Sequence, residues 1–486
     1  MNRPVRWYDY ISINIYFLGL TFVSQTNGLL LPFLVQRFVG EELKGTYYGT
    51  LRLWTLMVAL LAQALMGMLS DRSSLKWGRR RPFIFIGTLL DMIFITAIGF
   101  SAGMVGISGL SFLFVIAVLL QITSNMAQAA QQGLIPDLVP ESKRGSFSGI
   151  KAVFELPLPM LLVAFTVGRL ISSGHLWAGI LVAMGVLTVC MLIAMLAPEQ
   201  PRKETPPPLD WAPILRLAFM TGVFTVLILG MGWAARNLGS WLAEGLQLSQ
   251  TALIMAMGLV GLVAMLVSVG LGVWLSVRIS IGEQAARRNS SFTWWVVNRL
   301  AYLVGAVNLS TFAVYFIQAR LGYVKEKAAG PASIMMMVVG VFILLSALPS
   351  GWLADRLGRK FLVAVSGGLA ALGTVIALLV PNLVIIYIGG CLIGIATGLF
   401  YAANWALGTD IVPKEEAGRY LGISNLAGAG AGAVGAYIGG PIADYFTVHV
   451  PQIPGLGYIL LFAIYGLLFL FSIVALRGVN QKTNLG

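Results

Sequence analysis

Unbroken apolar runs of about twenty residues or more recur along almost the whole chain, each long enough to cross the hydrocarbon core of a bilayer as a helix. The runs do not alternate polar and apolar residues at every second position, which excludes a lipid-facing β-barrel and predicts an all-α integral membrane protein. Composition agrees: of 486 residues, 58% are hydrophobic and 10% charged, against about 25% charged in an ordinary soluble domain. Little chain is left over for a soluble domain.

Stretches bounded by charged or Gly/Pro segments fall near 9–37, 46–70, 82–103, 109–135, 147–171 and 176–197, then 214–232 and 251–277. Six more follow near 294–317, 331–350, 361–380, 383–408, 420–442 and 457–476, for about fourteen transmembrane helices. Segment 198–213 carries Arg202, Lys203 and the run Pro206 to Pro208, and suits a stiff cytoplasmic linker. The net charge is +13. About two thirds of the Lys and Arg lie in 71–81, 136–146, 198–213, 278–293, 355–360, 409–419 and the termini, whereas loops such as 101–109, 172–175 and 443–455 are nearly free of them. Arg320, Lys325 and Lys327 are the exception. This pattern predicts a plasma-membrane protein with both termini in the cytoplasm. Basic residues scattered over many short loops do not make a nucleic-acid face. The first run continues to about Phe38 without a small-residue cleavage site and reads as a retained span. Cys190 and Cys391 lie inside apolar runs and read as packing residues.

Two signals occur twice. Gly67, Asp71 and Arg72 followed by Gly78-Arg79-Arg80 have counterparts in Gly351, Asp355 and Arg356 followed by Gly358-Arg359-Lys360. Downstream, Asp137-Leu-Val-Pro140 with Arg144-Gly145 matches Asp410-Ile-Val-Pro413 with Gly418-Arg419. The order of the signals and the spacing within G-x-x-x-D-R and D-x-V-P agree, so the chain divides into a six-helix bundle over 1–197, an insert over 198–290 with the linker and two extra helices, and a second six-helix bundle over 291–486. A parallel pseudo-twofold repeat of this kind is one plan of secondary transporters.

The G-x-x-x-D-R motif with its G-R-R/K cluster, present in both halves, resembles the major facilitator superfamily over essentially the whole chain except 214–277. The longer first copy, from Asp71 through Lys76 and Gly78 to Arg81, Pro82 and Phe83, together with Pro136-Asp137 to Pro140-Glu141, is similar to the glycoside and sucrose:proton symporter branch. That branch neighbours proteins of the bacteriochlorophyll-delivery type. The resemblance implies a monomer whose first and fourth helices in each half line a central cavity. It also implies a gating role for Gly67, Asp71, Arg72, Gly78, Arg79, Arg80, Gly351, Asp355, Arg356, Gly358 and Arg359, through inter-bundle ion pairs and helix-terminus contacts. Melibiose-type relatives carry acidic residues on the second helix for their coupling cation; residues 46–70 here contain Arg52 and Gln63 but no carboxylate.

An ionisable group at mid-membrane depth is costly and marks function. Asp91 lies roughly 13 Å into the third run among apolar neighbours, where a carboxylate is either a reversible proton carrier or a structural partner of Arg52 or of a neighbouring helix's hydroxyls. Lys151 and Glu155, four apart, share a helix face and either neutralise each other or carry the coupled proton. Pro157 and Pro159 then bend the helix. Gln121, Asn125, Gln128 and Gln132 form one stripe of amides, suited to hydroxyl-rich solutes or to joining helices. Further polar stripes hold Asn14, Thr21 and Gln25, then Asn308, Thr311, Tyr315 and Gln318, then Thr397, Tyr401, Asn404 and Trp405. The Tyr401 and Trp405 rings suit a sugar face. Arg299 either meets an anionic group or snorkels to the surface.

Gly430, Gly432 and Gly435 fit G-x-G-x-x-G, but within an apolar run they read as close helix packing. With no P-loop, no metal-spaced His/Cys cluster and no nucleophile motif, neither cofactor, metal nor enzymatic activity is expected; His175 and His449 read as loop residues. The sequence therefore predicts a secondary active transporter working by alternating access on a small organic solute, a sugar or glycoside in the first instance, coupled to protons. The alternatives are an exporter on the same fold and a pigment-handling or light-harvesting assembly factor.

Overall fold

The computed structural model describes residues 5–199, 211–245, 248–412 and 417–480; most of the proline-bearing linker expected at 198–213 lies outside them. Among these residues every regular element is helical. The first half of the chain carries α1 (Trp7–Ser12), α2 (Ile15–Val39), α3 (Lys44–Asp71), α4 (Arg81–Ser101), α5 (Gly106–Leu138), α6 (Arg144–Glu155), α7 (Pro157–Phe165), α8 (Val167–Ser172) and α9 (Leu176–Ala194). Next come α10 (Ala212–Glu244), α11 (Gln250–Ile281) and the short α12 (Glu283–Arg288), in the segment the sequence reading set apart as an insert. Then come α13 (Ser290–Thr311), α14 (Ala313–Leu321), α15 (Ala329–Leu357), α16 (Arg359–Leu379), α17 (Leu383–Ile411), α18 (Ala417–His449) and α19 (Leu456–Ala475). Among the described residues 13 segments are long and apolar enough to cross a membrane, and α13 with α14, bent by 58°, makes a possible total of 14. The fold is thus an all-α membrane bundle, as a chain without a hydrogen-bonding solvent around it requires.

Breaks within spans have local causes. Between α1 and α2 the Ile13 carbonyl accepts a hydrogen bond at 2.5 Å from Gln131 Nε2 of α5, and Asn14 Nδ2 takes the Tyr10 carbonyl at 3.0 Å, so side chains replace the helical ladder. Pro157 and Pro159, which lack N–H donors, separate α6 from α7 directly after Glu155, as their positions predict. Thr311 donates to the Val307 carbonyl at 3.0 Å just before the bend between α13 and α14.

Packing gathers the chain into two compact units. The first contains α1, α2 through Phe38, α3 from Val58, α4 to α9 and residues 325–337. The second contains Val39–Met57, Arg216–Val324 and the chain from Val338 onward. Within the second unit the start of α3 lies on α18 without side chains between them: a Cβ added at Gly49 would strike the Ala436 carbonyl, and one at Gly440 would strike Gly45. Gly435 faces Asn308, Gly432 faces Leu56, and Gly439 faces Leu461 and Tyr465, so the glycine run of α18 is a helix-packing surface. The inserted helices belong to this unit, α11 packing on α13, α18 and α19.

The paired loop motifs are clamps built on arginine. In the first unit Arg80, 5% exposed, forms ion pairs with Asp71 at the end of α3 and with Asp137 near the end of α5, the latter at 3.0 Å, and donates to Ser70 Oγ at 3.1 Å. Arg79 pairs with the same Asp137 carboxylate. The backbone N–H groups of Arg80 and Arg81 donate to Glu199 at 2.7 and 3.0 Å, an anion at the start of α4 where the helix dipole favours one. Gly78, at φ +114°, leaves room for that carboxylate. In the second unit Arg359 opens α16 and pairs with Asp410 of α17 at 2.5 Å and Asp355 of α15 at 3.6 Å, after Gly358 at φ +93°. Arg72 donates to the Met68 carbonyl at 3.4 Å and Arg356 lies 4.2 Å over the Trp352 ring. Gly67 approaches Ala129, whereas Gly351 has open space beside it. Each of these ion pairs joins elements within one unit.

Burial grades the two clamps: the Arg80 side chain is 6% exposed and that of Arg359 31%. Arg80→Gln removes the buried charge that joins Asp71 to Asp137, with Arg79 still on Asp137, and is expected to cost on the order of 2 kcal/mol. Arg359→Gln is expected to cost less than about 1 kcal/mol. Thermal unfolding of detergent-solubilised protein measures both, and equal shifts would contradict the grading. By the same assay Gly49→Val, which drives a side chain into backbone, lowers the midpoint, while Gly28→Ala, inside α2 with nothing within 4 Å, does not lower it.

Candidate functional site

In the first unit the α4 and α5 helices meet closely, Gly87 of α4 lying against Ala127 and the Thr123 carbonyl of α5. This contact buries Asp91 completely. Its Oδ1 accepts a hydrogen bond from Thr123 Oγ1 and its Oδ2 one of 2.8 Å from Ser124 Oγ. Among the described residues it has no ion-pair partner. Next to it Tyr16, also buried, bonds Thr88 at 2.5 Å. Hydroxyls of a neighbouring helix thus contact Asp91, one of the partnerships the sequence left open, and because both donors are neutral its charge meets no counter-charge among the described residues.

The amide stripe of α5 is half open. Asn125 Nδ2 bonds the Gln121 carbonyl at 2.8 Å and the Gln121 side-chain oxygen at 3.2 Å, Gln128 is half-buried, and Gln132 accepts from Gln63 Nε2 at 3.3 Å. Ser124 stands three residues after Gln121 and four before Gln128, so the hydroxyl that donates to Asp91 sits on the edge of this stripe. Gln131, on the other side of α5, is fully buried and joins it to Ile13. On α2 Gln25 is half-buried, whereas Asn14 before it is fully buried and bonded to Tyr10. Lys151 and Glu155 form an ion pair of 3.6 Å, with the Lys151 ammonium 4.6 Å over the Phe17 ring. No contact joins this pair to Asp91 among the described residues.

The second unit holds a cluster of different chemistry. Arg299 of α13, 9% exposed, donates from Nη1 to Asn404 Oδ1 of α17 at 3.0 Å, and its guanidinium lies 5.4 Å over the Trp405 ring and 5.9 Å over that of Trp295. Asn404 Nδ2 donates to Asn298 Oδ1 at 2.8 Å, and Asn298 to the Ser472 carbonyl at 2.8 Å. Trp295 Nε1 donates to the Asn404 carbonyl at 2.9 Å. One turn on, Tyr302 stacks on Phe400 with centroids 3.7 Å apart. Arg299 thus has amide and ring partners, no carboxylate pairs with it among the described residues, and its Nε is buried without a hydrogen bond there. Tyr401 and Trp405 are exposed, at 39% and 42%. Asn308 is spent on the Val304 and Ala431 carbonyls at 2.8 and 2.9 Å, joining α13 to α18.

A third cluster escaped the sequence reading because α18 runs on to His449 instead of ending near 442. Asp444, expected in a loop, is a buried helical residue whose carboxylate accepts from the N–H groups of Gly45 and Thr46 at 2.8 and 2.7 Å, capping the start of α3. Lys44 beside it bonds Glu41 at 2.6 Å and Gln318 at 3.3 Å and lies 4.8 Å over the Tyr315 ring. Tyr315 is therefore packed in this cluster, fully buried. His449, also expected in a loop, ends α18 stacked on Tyr445. Thr123 and Glu199 were likewise missed, and their signal was only spatial.

The sequence matches the Major Facilitator Superfamily over residues 16–324 and 295–484. It is 28% identical over 195 residues to sucrose transport protein SUC3 of Arabidopsis thaliana, a stretch covering 33% of this chain and 32% of that one. It is 35% identical over 88 residues to the minor myo-inositol transporter IolF of Bacillus subtilis (strain 168), covering 18% and 20%. The alignments thus span about a third and a fifth of those relatives' lengths. Among solved structures, a D-xylose-proton symporter aligns at TM-score 0.63 and 14% identity over 98% of this chain and 97% of that chain. A peptide transporter, POT, in complex with sulfate aligns at 0.66 and 15%, over 96% and 94%; likeness at these identities is one of fold. With the twofold motif and the helical bundle, the match makes the chain a member of the Major Facilitator Superfamily.

Proposed function

We propose that the protein is a proton-coupled secondary transporter, with both termini cytoplasmic, that moves a small hydroxyl-rich solute such as a sugar, polyol or glycoside by alternating access. The observation that carries this reading is the Asp91 carboxylate, buried without a cation among the described residues and held by two hydroxyls, one of them on the edge of an amide stripe. The names of two relatives, a sucrose and a myo-inositol transporter, support the solute class. The D-xylose-proton symporter among the structural neighbours supports coupling to protons.

The chemistry follows from who donates. While Asp91 is ionised it only accepts, and the Ser124 hydroxyl must donate to it. A proton placed on Oδ2 turns the carboxyl into the donor toward Ser124 Oγ, which frees the Ser124 O–H to donate to a solute hydroxyl lying along Gln121 and Gln128. Proton and solute then favour each other's binding, and by linkage the effect is reciprocal. The second unit by itself offers Arg299, held in place by Asn404, for solute oxygens, and exposed Tyr401 and Trp405 rings that suit the apolar face of a sugar.

The test is uptake of labelled sucrose, myo-inositol and glucose by purified protein in liposomes, with and without an inward proton gradient. Gradient-driven accumulation of at least one of them is expected, and flat traces for all three from folded protein overturn the solute class. Asp91→Asn is expected to abolish gradient-driven accumulation while sparing solute exchange; a variant that still accumulates removes Asp91 from the mechanism. Arg299→Gln is expected to raise KM on the order of tenfold with little change in kcat, the loss of one hydrogen bond to a charged group. An unchanged KM takes Arg299 out of solute recognition.

A further inference from the structure

Helices α11 to α13 carry a feature outside the proposed solute-binding residues. Between the end of α11 and the start of α13, beside α19, lies a cavity of about 350 Å³. Trp274, Arg278, Arg287, Ser290, Trp294 and Phe471 line it. Position defines its surroundings. The α11 span ends at Ile281, the six-residue α12 follows, and the next span begins at Ser290, so the cavity sits where helices leave the membrane. Asn289 donates to the Ile411 carbonyl at 3.2 Å and Gly478 packs against the Trp294 ring, so this is also the end of the unit that carries the Arg359–Asp410 pair.

The lining is divided by chemistry. Toward the membrane it is apolar and open: Gly270 has no atom within 4 Å of where a Cβ would stand, which leaves a cleft along α11 toward Phe471. Trp274 and Trp294 are 42% and 44% exposed, in the depth band where tryptophan marks the bilayer interface. Toward water it is cationic. The Arg278 guanidinium lies 3.6 Å over the Trp274 ring, which fixes the charge at the level of the ring. Arg278 and Arg287 share one acid, Glu283, at 3.7 and 2.6 Å, and Arg287 holds that carboxyl below the usual carboxylate range. One carboxylate cannot occupy the donors of two guanidinium forks. Arg288 follows directly, so the group keeps a positive excess.

We propose that this cavity is a binding site for an anionic phospholipid, its phosphate on Arg278 and Arg287 and its acyl chains in the cleft along Gly270, between Trp274 and Trp294. A free phosphate or a soluble anion would leave the apolar half unfilled, and a zwitterionic lipid would bring a cation to a cluster already in positive excess. Basic pockets between helices at the cytoplasmic side recognise such headgroups. Glu283 is the competitor: it holds the arginines when lipid is absent and yields them to the phosphate. The inference does not depend on the transport reading.

Full-length protein is reconstituted with brominated phosphatidylglycerol or brominated phosphatidylcholine at equal mole fraction, and tryptophan quenching is compared with that of Trp274→Phe/Trp294→Phe, the difference reporting the cavity rings. The expected result is at least about fivefold stronger cavity quenching by the anionic lipid. That preference is lost in Arg278→Gln/Arg287→Gln, lost in Gly270→Leu, which fills the cleft with both arginines in place, and increased in Glu283→Gln. Each variant must keep the elution volume and helical signal of the native protein, and Glu283→Gln carries the test where the arginine variant does not fold. Equal quenching by the two lipids, or a Glu283→Gln variant with a weaker preference, overturns the proposal. Abolition of the preference by excess inorganic phosphate also overturns it, since the site would then serve a soluble anion.

Discussion

Hydrocarbon offers no hydrogen-bond partner, and the structure answers to that constraint at every scale. Backbone groups close on themselves as helices. Most hydroxyls follow the same rule, bonding the carbonyl one turn back: Thr55 to Leu51, Thr88 to Ile84, Thr225 to Thr221, Ser268 to Ala264 and Thr374 to Ala370. A hydroxyl that bonds another helix is therefore informative. Thr123 still reaches the carbonyls of Leu119 and Leu120, yet it also donates to Asp91. A carboxylate at that depth needs donors from outside its own helix, and the close approach of α4 and α5 at Gly87 brings them within reach.

The two arginine clamps apply the constraint at the membrane edge with unequal force. Both tie the start of one helix to the ends of two others, through Asp71 and Asp137 in one unit and Asp355 and Asp410 in the other. The first adds Ser70 and the Glu199 cap of α4 and excludes water from Arg80; the second leaves Asp355 72% and Asp410 46% exposed. Exposed pairs exchange partners with water at little cost, whereas a buried arginine keeps its partners or destabilises the fold. Of the two motif loops, the second is accordingly the less tightly held.

The spans were legible because a twenty-residue apolar run has few other uses, and the repeat was legible because both halves keep G-x-x-x-D-R and D-x-V-P in the same order. Where reading by apolarity failed, it stopped at polar residues that helices in fact contain. The inserted α10 continues past 232 to Glu244, since Arg236 bonds Tyr437 at 2.8 Å and need not face lipid. The same error on α18 hid Asp444. Contacts distant in sequence were not legible at all: Arg80 and Asp137 were each visible within a repeated motif, but nothing in spacing says that the two motifs meet. Asp91 could be found by its depth, and only the fold supplies Thr123 and Ser124.

The size of the proposed coupling follows from the same bonds. One neutral hydrogen bond gained or lost is worth about 1 kcal/mol, a factor of about five in affinity, so the Ser124 hydroxyl alone links proton and solute only loosely. Tighter linkage needs the carboxyl's surroundings to differ between the two access states, so that ionised Asp91 is costly in one of them. Thr123 is suited to that difference: it is nearly fully buried, and sliding α4 along α5 by a fraction of a turn would take its hydroxyl away from Asp91 while leaving its carbonyl bonds intact. The closeness of the helices at Gly87 is what makes such a slide discrete, because side chains packed at interior density pass between arrangements without stable intermediates. The coupling energy on this account resides in the α4–α5 contact, and Ser124 transmits it to the solute.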